Sequence, residues 1–322
     1  MQKYRVHYTK GNLNNHIGIP ITLLQMKKET EIAIIEMGAN HQKEIDAYCK
    51  YVLPGFGLIT NIGSAHLEGF GGEEGVEKAK TELFAHLNDN RGIIFYNSDS
   101  EKITRHITDK SRAVSYGKLE TDFVSGEIKR NAEFLQIAVS YQGVKMQIQT
   151  NLSGSYNFEN VLAAICIGLY FNIGIDQVQE GIANYIPENK RSQVLTENGN
   201  TFILDYYNAN PNSMEAALQN LSSQKAVTKI AVLGDMLELG DYAKAEHKKI
   251  FHQAVHGGLD KIIFIGPEFM RFKNESTPQK LQVEFFNSAI EAKSFWQSLN
   301  IQNALILLKG SRGISVEKIL IK

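Results

Sequence analysis

The sequence predicts an α/β protein of two domains, a parallel sheet extended by antiparallel hairpins and then a doubly wound, Rossmann-like parallel sheet. Three observations carry that expectation. Apolar strand-like runs alternate with helical patterns over the first third of the chain, and between about residues 122 and 151 the pattern changes to period two. A second strand-helix series then opens near residue 201. The length of 322 residues also exceeds what a single core ordinarily serves.

In order, YRVHYT reads as the interior of a strand with no cap or turn ahead of it, an abrupt start that hints at missing sequence. EIAIIEMG (31–38), GLITNIG (57–63) and RGIIFYN (91–97) read as buried parallel strands, each followed by amphipathic or loop sequence. FVSGEIKR, EFLQIAVSY and VKMQIQT, separated by NA and QG turns, read as hairpins. NFENVLAAICIGLYFNIG and DQVQEGIANY read as helices, and Pro187 with the charged ENKR segment breaks the pattern. The domains are therefore set at 1–187 and 188–322. In the second, TFILDY, TKIAVLGD, KIIFIG and ALILLKGS read as strands, and AKAEHKKIFHQAV, EAKSFWQSL and a closing ISVEKILI as helices.

Composition narrows the function. With 43% hydrophobic and 21% charged residues the chain is an ordinary globular sequence. Its 34 basic and 35 acidic side chains leave a net charge of −1, so no overall field draws it to nucleic acid or an anionic membrane. An anionic ligand must be held locally. Two distant cysteines, Cys49 and Cys166, support neither a disulfide framework nor a zinc cluster, and fit a reducing cytoplasm. No run approaches the ~20 apolar residues of a membrane span, and the N-terminus reads as neither signal peptide nor anchor. No GxGxxG follows a first strand, which argues against a nicotinamide dehydrogenase.

In open parallel sheets ligands gather at the carboxyl ends of strands, so polar residues there are the candidates. Glu36 ends one strand beside Gly38, either as a functional carboxylate or as a salt-bridged strand end. His66 lies in GSAHLEGFGG, where glycines would let backbone amides meet a phosphate or metal, although a histidine after a strand is often structural. Lys80, in GVEKAKTELFAHL, reads as a solvated helical lysine. Asn157 and Asn160 share a face at a helix start, as caps or as amides able to read adenine. Asp205 leads into a turn crowded with Asn208, Asn210, Pro211 and Ser213, more polar groups than a cap needs. Arg191 is an ordinary linker charge or a guanidinium that clamps phosphate when domains close. Asp235 and His247 follow, and Lys309, Ser311 and Arg312 form a Lys-Gly-Ser-Arg turn suited to carboxylate or phosphate.

Together TKGNLNNHIGIPITLL, EMGANHQKEI, TNIGSAHLEGFGG, AKTELF, DYYNANPNSM, VLGDMLELG and LKGSRG resemble, in order and spacing, the Mur ligase family over nearly the whole chain. DYYNANPNSM and VLGDMLELG resemble the members that add D-alanyl-D-alanine more than folate polyglutamate or cyanophycin relatives. The resemblance implies an ATP-dependent amide ligase of peptidoglycan precursor synthesis. Its substrates would be UDP-N-acetylmuramoyl-tripeptide and D-alanyl-D-alanine, joined through an acyl phosphate. It implies ATP and Mg2+ as cofactors, Glu36 and His66 as magnesium-associated residues, and Lys80 as a carbamate helping to hold a second ion. By the same resemblance Asn157 and Asn160 contact adenine, Asp205, Asn208 and Asn210 form a nucleotide-facing turn, and Arg191 reaches the phosphates. Asp235, Lys309, Ser311 and Arg312 belong to the incoming dipeptide's site. The chain departs from the family in having no GxxGKT-type loop and no UDP-sugar domain ahead of it. The expectation is a chain truncated at its N-terminus and inactive alone, its missing portion encoded upstream or on another chain. The alternative is a catalytically silent module that binds nucleotide or dipeptide.

Overall fold

The computed structural model describes residues 3–63, 67–187 and 190–320, and among them groups the chain into two compact units. One comprises Met1–Lys129, Gln136–Thr150 and Asn157–Tyr185, and the other Arg130–Leu135, Asn151–Tyr156 and Ile186–Lys322.

In the first unit, β1 (Val6–Tyr8), α1 (Gly18–Leu24) and β2 (Ile32–Ile34) come first, β1 and β2 forming a separate two-stranded parallel sheet. Then come α2 (Glu44–Val52), β3 (Phe56–Leu58), α3 (Leu67–Phe70), α4 (Glu73–Asp89), β4 (Ile93–Asn97), α5 (Glu101–Thr104) and β5 (Ala113–Gly117). The hairpin strands β6 (Val124–Asn131), β7 (Leu135–Tyr141) and β8 (Val144–Gln149) follow, then α6 (Asn157–Tyr170) and α7 (Ile175–Ala183). Strands β3 to β8 lie in sequence order in one sheet, parallel from β3 to β6 and antiparallel between β7 and β8. The expected period two is real, since Leu135, Ile137 and Val139 alternate inward along β7; of the three runs expected to be buried, β4 is, whereas β2 and β3 are half-exposed, with Ile34 and Phe56 open to solvent. GLITNIG is strand only through Leu58, and β5 was not anticipated.

The second unit carries β9 (Gln193–Glu197), β10 (Asn200–Asp205), α8 (Pro211–Ser223), β11 (Thr228–Gly234), α9 (Ala243–Val255), β12 (Lys261–Ile265), α10 (Pro267–Met270), β13 (Gln282–Phe286), α11 (Ala289–Ser298) and β14 (Ala304–Lys309). The sheet order is β13-β12-β11-β14-β10-β9, parallel except for the antiparallel edge strand β9. Alternate residues serve two cores. Ala231, Leu233, Leu305 and Leu307 face Met214, Leu218, Ile250 and Phe251 of α8 and α9, whereas Ile230, Val232, Ile306 and Leu308 face Ala289 and Ala292 of α11. Both faces are covered, which is why these strands read as unbroken apolar runs. Because β14 returns between β10 and β11, the carboxyl ends of those three strands meet where the winding reverses.

The expected closing helix is instead two short 3-10 turns, Arg312–Ile314 and Val316–Ile319, with Ser315 left-handed between them (φ 53°). The turn after β10 behaves as its residues dictate: Asn210 caps α8, its Oδ1 accepting from the Ser213 amide at 2.9 Å, with Pro211 in the first turn. Asn210→Ala is expected to cost about 1 kcal/mol in urea unfolding.

Candidate active site

In the first unit the EMG and TKGNLNN segments are pinned together. The Glu36 amide donates to Thr9 Oγ1 at 2.9 Å, the Glu36 carboxylate accepts from Asn14 Nδ2 at 2.9 Å, and the Gly38 amide donates to the Asn14 carbonyl at 2.7 Å. Glu36 is exposed, with one oxygen held by a side chain. His66 lies outside the described residues. Lys80, half-buried on α4, donates to the Asn61 carbonyl at 2.8 Å, in the loop that leads toward His66. Burial holds the Lys80 ammonium below its ordinary pKa, a bias toward the neutral amine.

Among the described residues no three His, Cys, Asp or Glu side chains gather as a metal centre. A magnesium ion uses one or two carboxylates and fills its shell with water and substrate phosphates, so the exposed Glu36 carboxylate fits such an ion.

Asn157 and Asn160 stand on the first turn of α6. Sequence reasoning missed Glu159 between them. Burial raises its pKa, with the nearby Asp99 charge adding to the effect and Lys118 and Asn97 opposing it. It therefore belongs with the strand ends of β4 and β5, where Gly117 approaches Ser98 and Asp122 so closely that a Cβ would clash.

The second unit holds the densest constellation. Asp205, at the end of β10, accepts from Lys309 Nζ at 2.6 Å, and both side chains are largely withdrawn from solvent (12% and 1% exposed). Ser311 ties three strand ends together: its amide donates to the Asp235 carbonyl, its Oγ accepts from the Leu237 amide at 3.0 Å, and its hydroxyl donates to the Ala209 carbonyl at 3.3 Å. Asp235 is buried, its carboxylate accepting from the Glu268 and Phe269 amides at 2.8 and 3.0 Å. Gly266 permits this, since a Cβ there would lie 2.3 Å from the Asp235 carboxylate. Thus Asp205, Asp235, Lys309 and Ser311 are brought together as an internal frame. Arg191, Asn208 and Arg312 remain exposed around it.

Beneath the frame lies His247, fully buried, accepting at Nε2 from the Met236 amide (2.9 Å) and donating from Nδ1 to the Ala243 carbonyl (2.7 Å). Burial lowers its pKa, so the imidazole is neutral, as the Met236 bond requires. A histidine whose folded pKa is depressed loses stability as pH falls below its unfolded value of about 6.5, because only the unfolded chain takes the proton there. Asp235, 3.6 Å away, acts oppositely: burial raises its pKa, so falling pH favours the folded state through it. Urea midpoints are therefore expected to drop less between pH 7.5 and 5.5 in His247→Gln than in the parent.

Residues 1–168 match the family model of the Mur ligase middle domain, and residues 190–312 that of the Mur ligase, glutamate ligase domain. The chain belongs to the Mur ligase family. It is similar to the UDP-N-acetylmuramoyl-tripeptide--D-alanyl-D-alanine ligase of Bacillus subtilis, 32% identical over 98% of this chain and 69% of that enzyme. Among solved structures it is similar to MurF from Acinetobacter baumannii, with TM-score 0.87 and 30% identity over 98% of this chain and 70% of that one. The MurF ligase of Thermotoga maritima in complex with ADP superposes with TM-score 0.85 at 23% identity, over 99% and 73% of the two chains. The fold is thus that of the Mur ligase middle and C-terminal domains, and no described helix is long and apolar enough to cross a membrane.

Proposed function

We propose that the chain supplies the adenine-binding and amine-binding parts of a cytoplasmic ligase that uses ATP to join D-alanyl-D-alanine to UDP-N-acetylmuramoyl-tripeptide, with 1–187 and 188–322 as its two domains. The observation that supports this most is the knitted set of strand ends around Asp205, Lys309 and Ser311, in a chain that resembles enzymes of that activity along 98% of its length. In this reading the tripeptide carboxylate attacks the γ-phosphorus, ADP leaves, and the dipeptide amine attacks the acyl carbon to expel phosphate. Charge grows on the transferred phosphoryl and then on the tetrahedral carbon's oxygen, and fixed cations stabilise both best when their positions are set beforehand.

The roles divide by exposure. Asn157 and Asn160 read adenine; Arg191 and Asn208 face the phosphates, and Arg312 faces the dipeptide. Asp205, Asn210, Asp235, Lys309 and Ser311 hold the loops that carry them. Glu36, His66 and Lys80 hold Mg2+, which supplies charge neutralisation to the phosphates when bound. For Lys80 the neutral amine attacks CO2, forming a carbamate and releasing a proton, so the cation becomes an anion suited to a metal.

No GxxGK[ST] loop occurs in the 322 residues, so phosphate release by the chain alone is expected to be low. The test compares the chain with a fusion in which the N-terminal third of the Bacillus subtilis ligase precedes it. Phosphate release that needs ATP, UDP-muramoyl-tripeptide and D-alanyl-D-alanine together, and appears in the fusion, supports the proposal. A folded fusion that is inactive yet binds nucleotide favours the silent binding module.

A further inference from the structure

We propose that Tyr207 is a positioning residue that gathers Arg191 and Arg312 into a single clamp for a phosphate-class anion, so that the two arginines act together rather than on separate ligands. The Arg191 guanidinium lies 4.3 Å and that of Arg312 5.9 Å from the centroid of the Tyr207 ring. Both guanidiniums therefore lie within about 6 Å of one ring. Arg5, Arg105, Arg112 and Arg271 each pair with a carboxylate, but among the described residues neither Arg191 nor Arg312 does. Two cations on one ring, neither paired with a carboxylate among the described residues, leave a field that an anion bridging them relieves.

The frame beneath fixes both arms. Lys190 and Ser192, on either side of Arg191, are left-handed (φ 58° and 55°), a conformation that persists only when its surroundings impose it. For Ser192 they do: its amide donates to Asp205 Oδ1 at 3.3 Å, and its hydroxyl hydrogen-bonds the Tyr156 hydroxyl at 2.6 Å. Arg312 follows Ser311, which is held to Ala209 and Leu237. Asp205 therefore anchors the Arg191 turn directly and the Arg312 turn through Lys309, and Tyr207, two residues beyond it, carries the ring that both guanidiniums share.

This rests on the proposed function in having Arg191 face phosphates and departs from it in moving Arg312 from the dipeptide to the same anion; its test needs no ligase activity. The full chain, labelled with 15N-arginine, is titrated with inorganic pyrophosphate while the Arg191 and Arg312 Nε–H resonances are followed. One shared midpoint is expected. Tyr207→Leu is expected to weaken binding about tenfold and Tyr207→Phe less than about twofold, because the ring rather than the hydroxyl carries the cations. Arg312→Gln, at an exposed position, should both weaken binding and move the Arg191 resonance. Separate midpoints, no pyrophosphate-dependent shift, equal damage from Phe and Leu, or an Arg191 resonance indifferent to Arg312→Gln would overturn the proposal.

Discussion

Asp205→Asn is expected to lower the stability of the C-terminal unit by about 3–5 kcal/mol, because it strands the buried Lys309 ammonium without its counter-charge. The loss should exceed that of an ordinary hydrogen bond, since Lys309 is 1% exposed and its other acceptor is the Asn208 carbonyl at 3.5 Å. Replacing both partners separates stability from function. Asp205→Asn with Lys309→Met removes the uncompensated charge and should recover most of the stability, as apolar replacements of buried ion pairs commonly do. It should not recover ligase activity, because the Ser192 and Ser311 turns lose the carboxylate that joins them. Urea unfolding followed by the single tryptophan, Trp296 on α11, reads the unit concerned. A double variant no more stable than Asp205→Asn would show that the loss does not come from the stranded charge.

The second large effect concerns Lys80. In the active fusion, Lys80→Arg is expected to reduce kcat by roughly 10²–10³, the scale of removing one preorganised electrostatic group at a transition state. Arginine keeps the positive charge but cannot become a carbamate. Lys80→Ala should be equally impaired yet partly restored by a small carboxylic acid such as acetate, which supplies the missing anion. Rates for Lys80→Arg within twofold of the parent would remove the carbamate from the account.

The parts of this molecule that were legible in the sequence are those whose side chains face one environment. Leu305 to Leu308 are buried on both faces of the sheet, so β14 is announced by its apolar run, and the 122–151 hairpins by alternation. The edge strands β9 and β13 were not foreseen, since each pairs on one side only and none of its residues is fully buried. The polar strand ends were legible as places, because Asp205, Asp235 and Lys309 each follow an apolar run. Their connections were not: Ser311 meets Ala209 across 102 residues, and Arg312 shares a ring with a tyrosine that no local pattern singles out. Lys80 illustrates the converse limit. Its helical setting reads as solvent-facing, and only its contact with Asn61 and its burial distinguish it from other helical lysines.

Which amine the ligase joins is decided by the mass of the product. The fusion protein, given ATP, Mg2+ and UDP-muramoyl-tripeptide, would be offered D-alanyl-D-alanine, D-glutamate and diaminopimelate in parallel, and the nucleotide-linked products weighed. A single product is expected, the tripeptide precursor extended by D-alanyl-D-alanine, formed with one ADP per amide bond and lost on Lys80→Arg. An amide formed with another amine in preference, or ADP release with no amide from any of them, would contradict it.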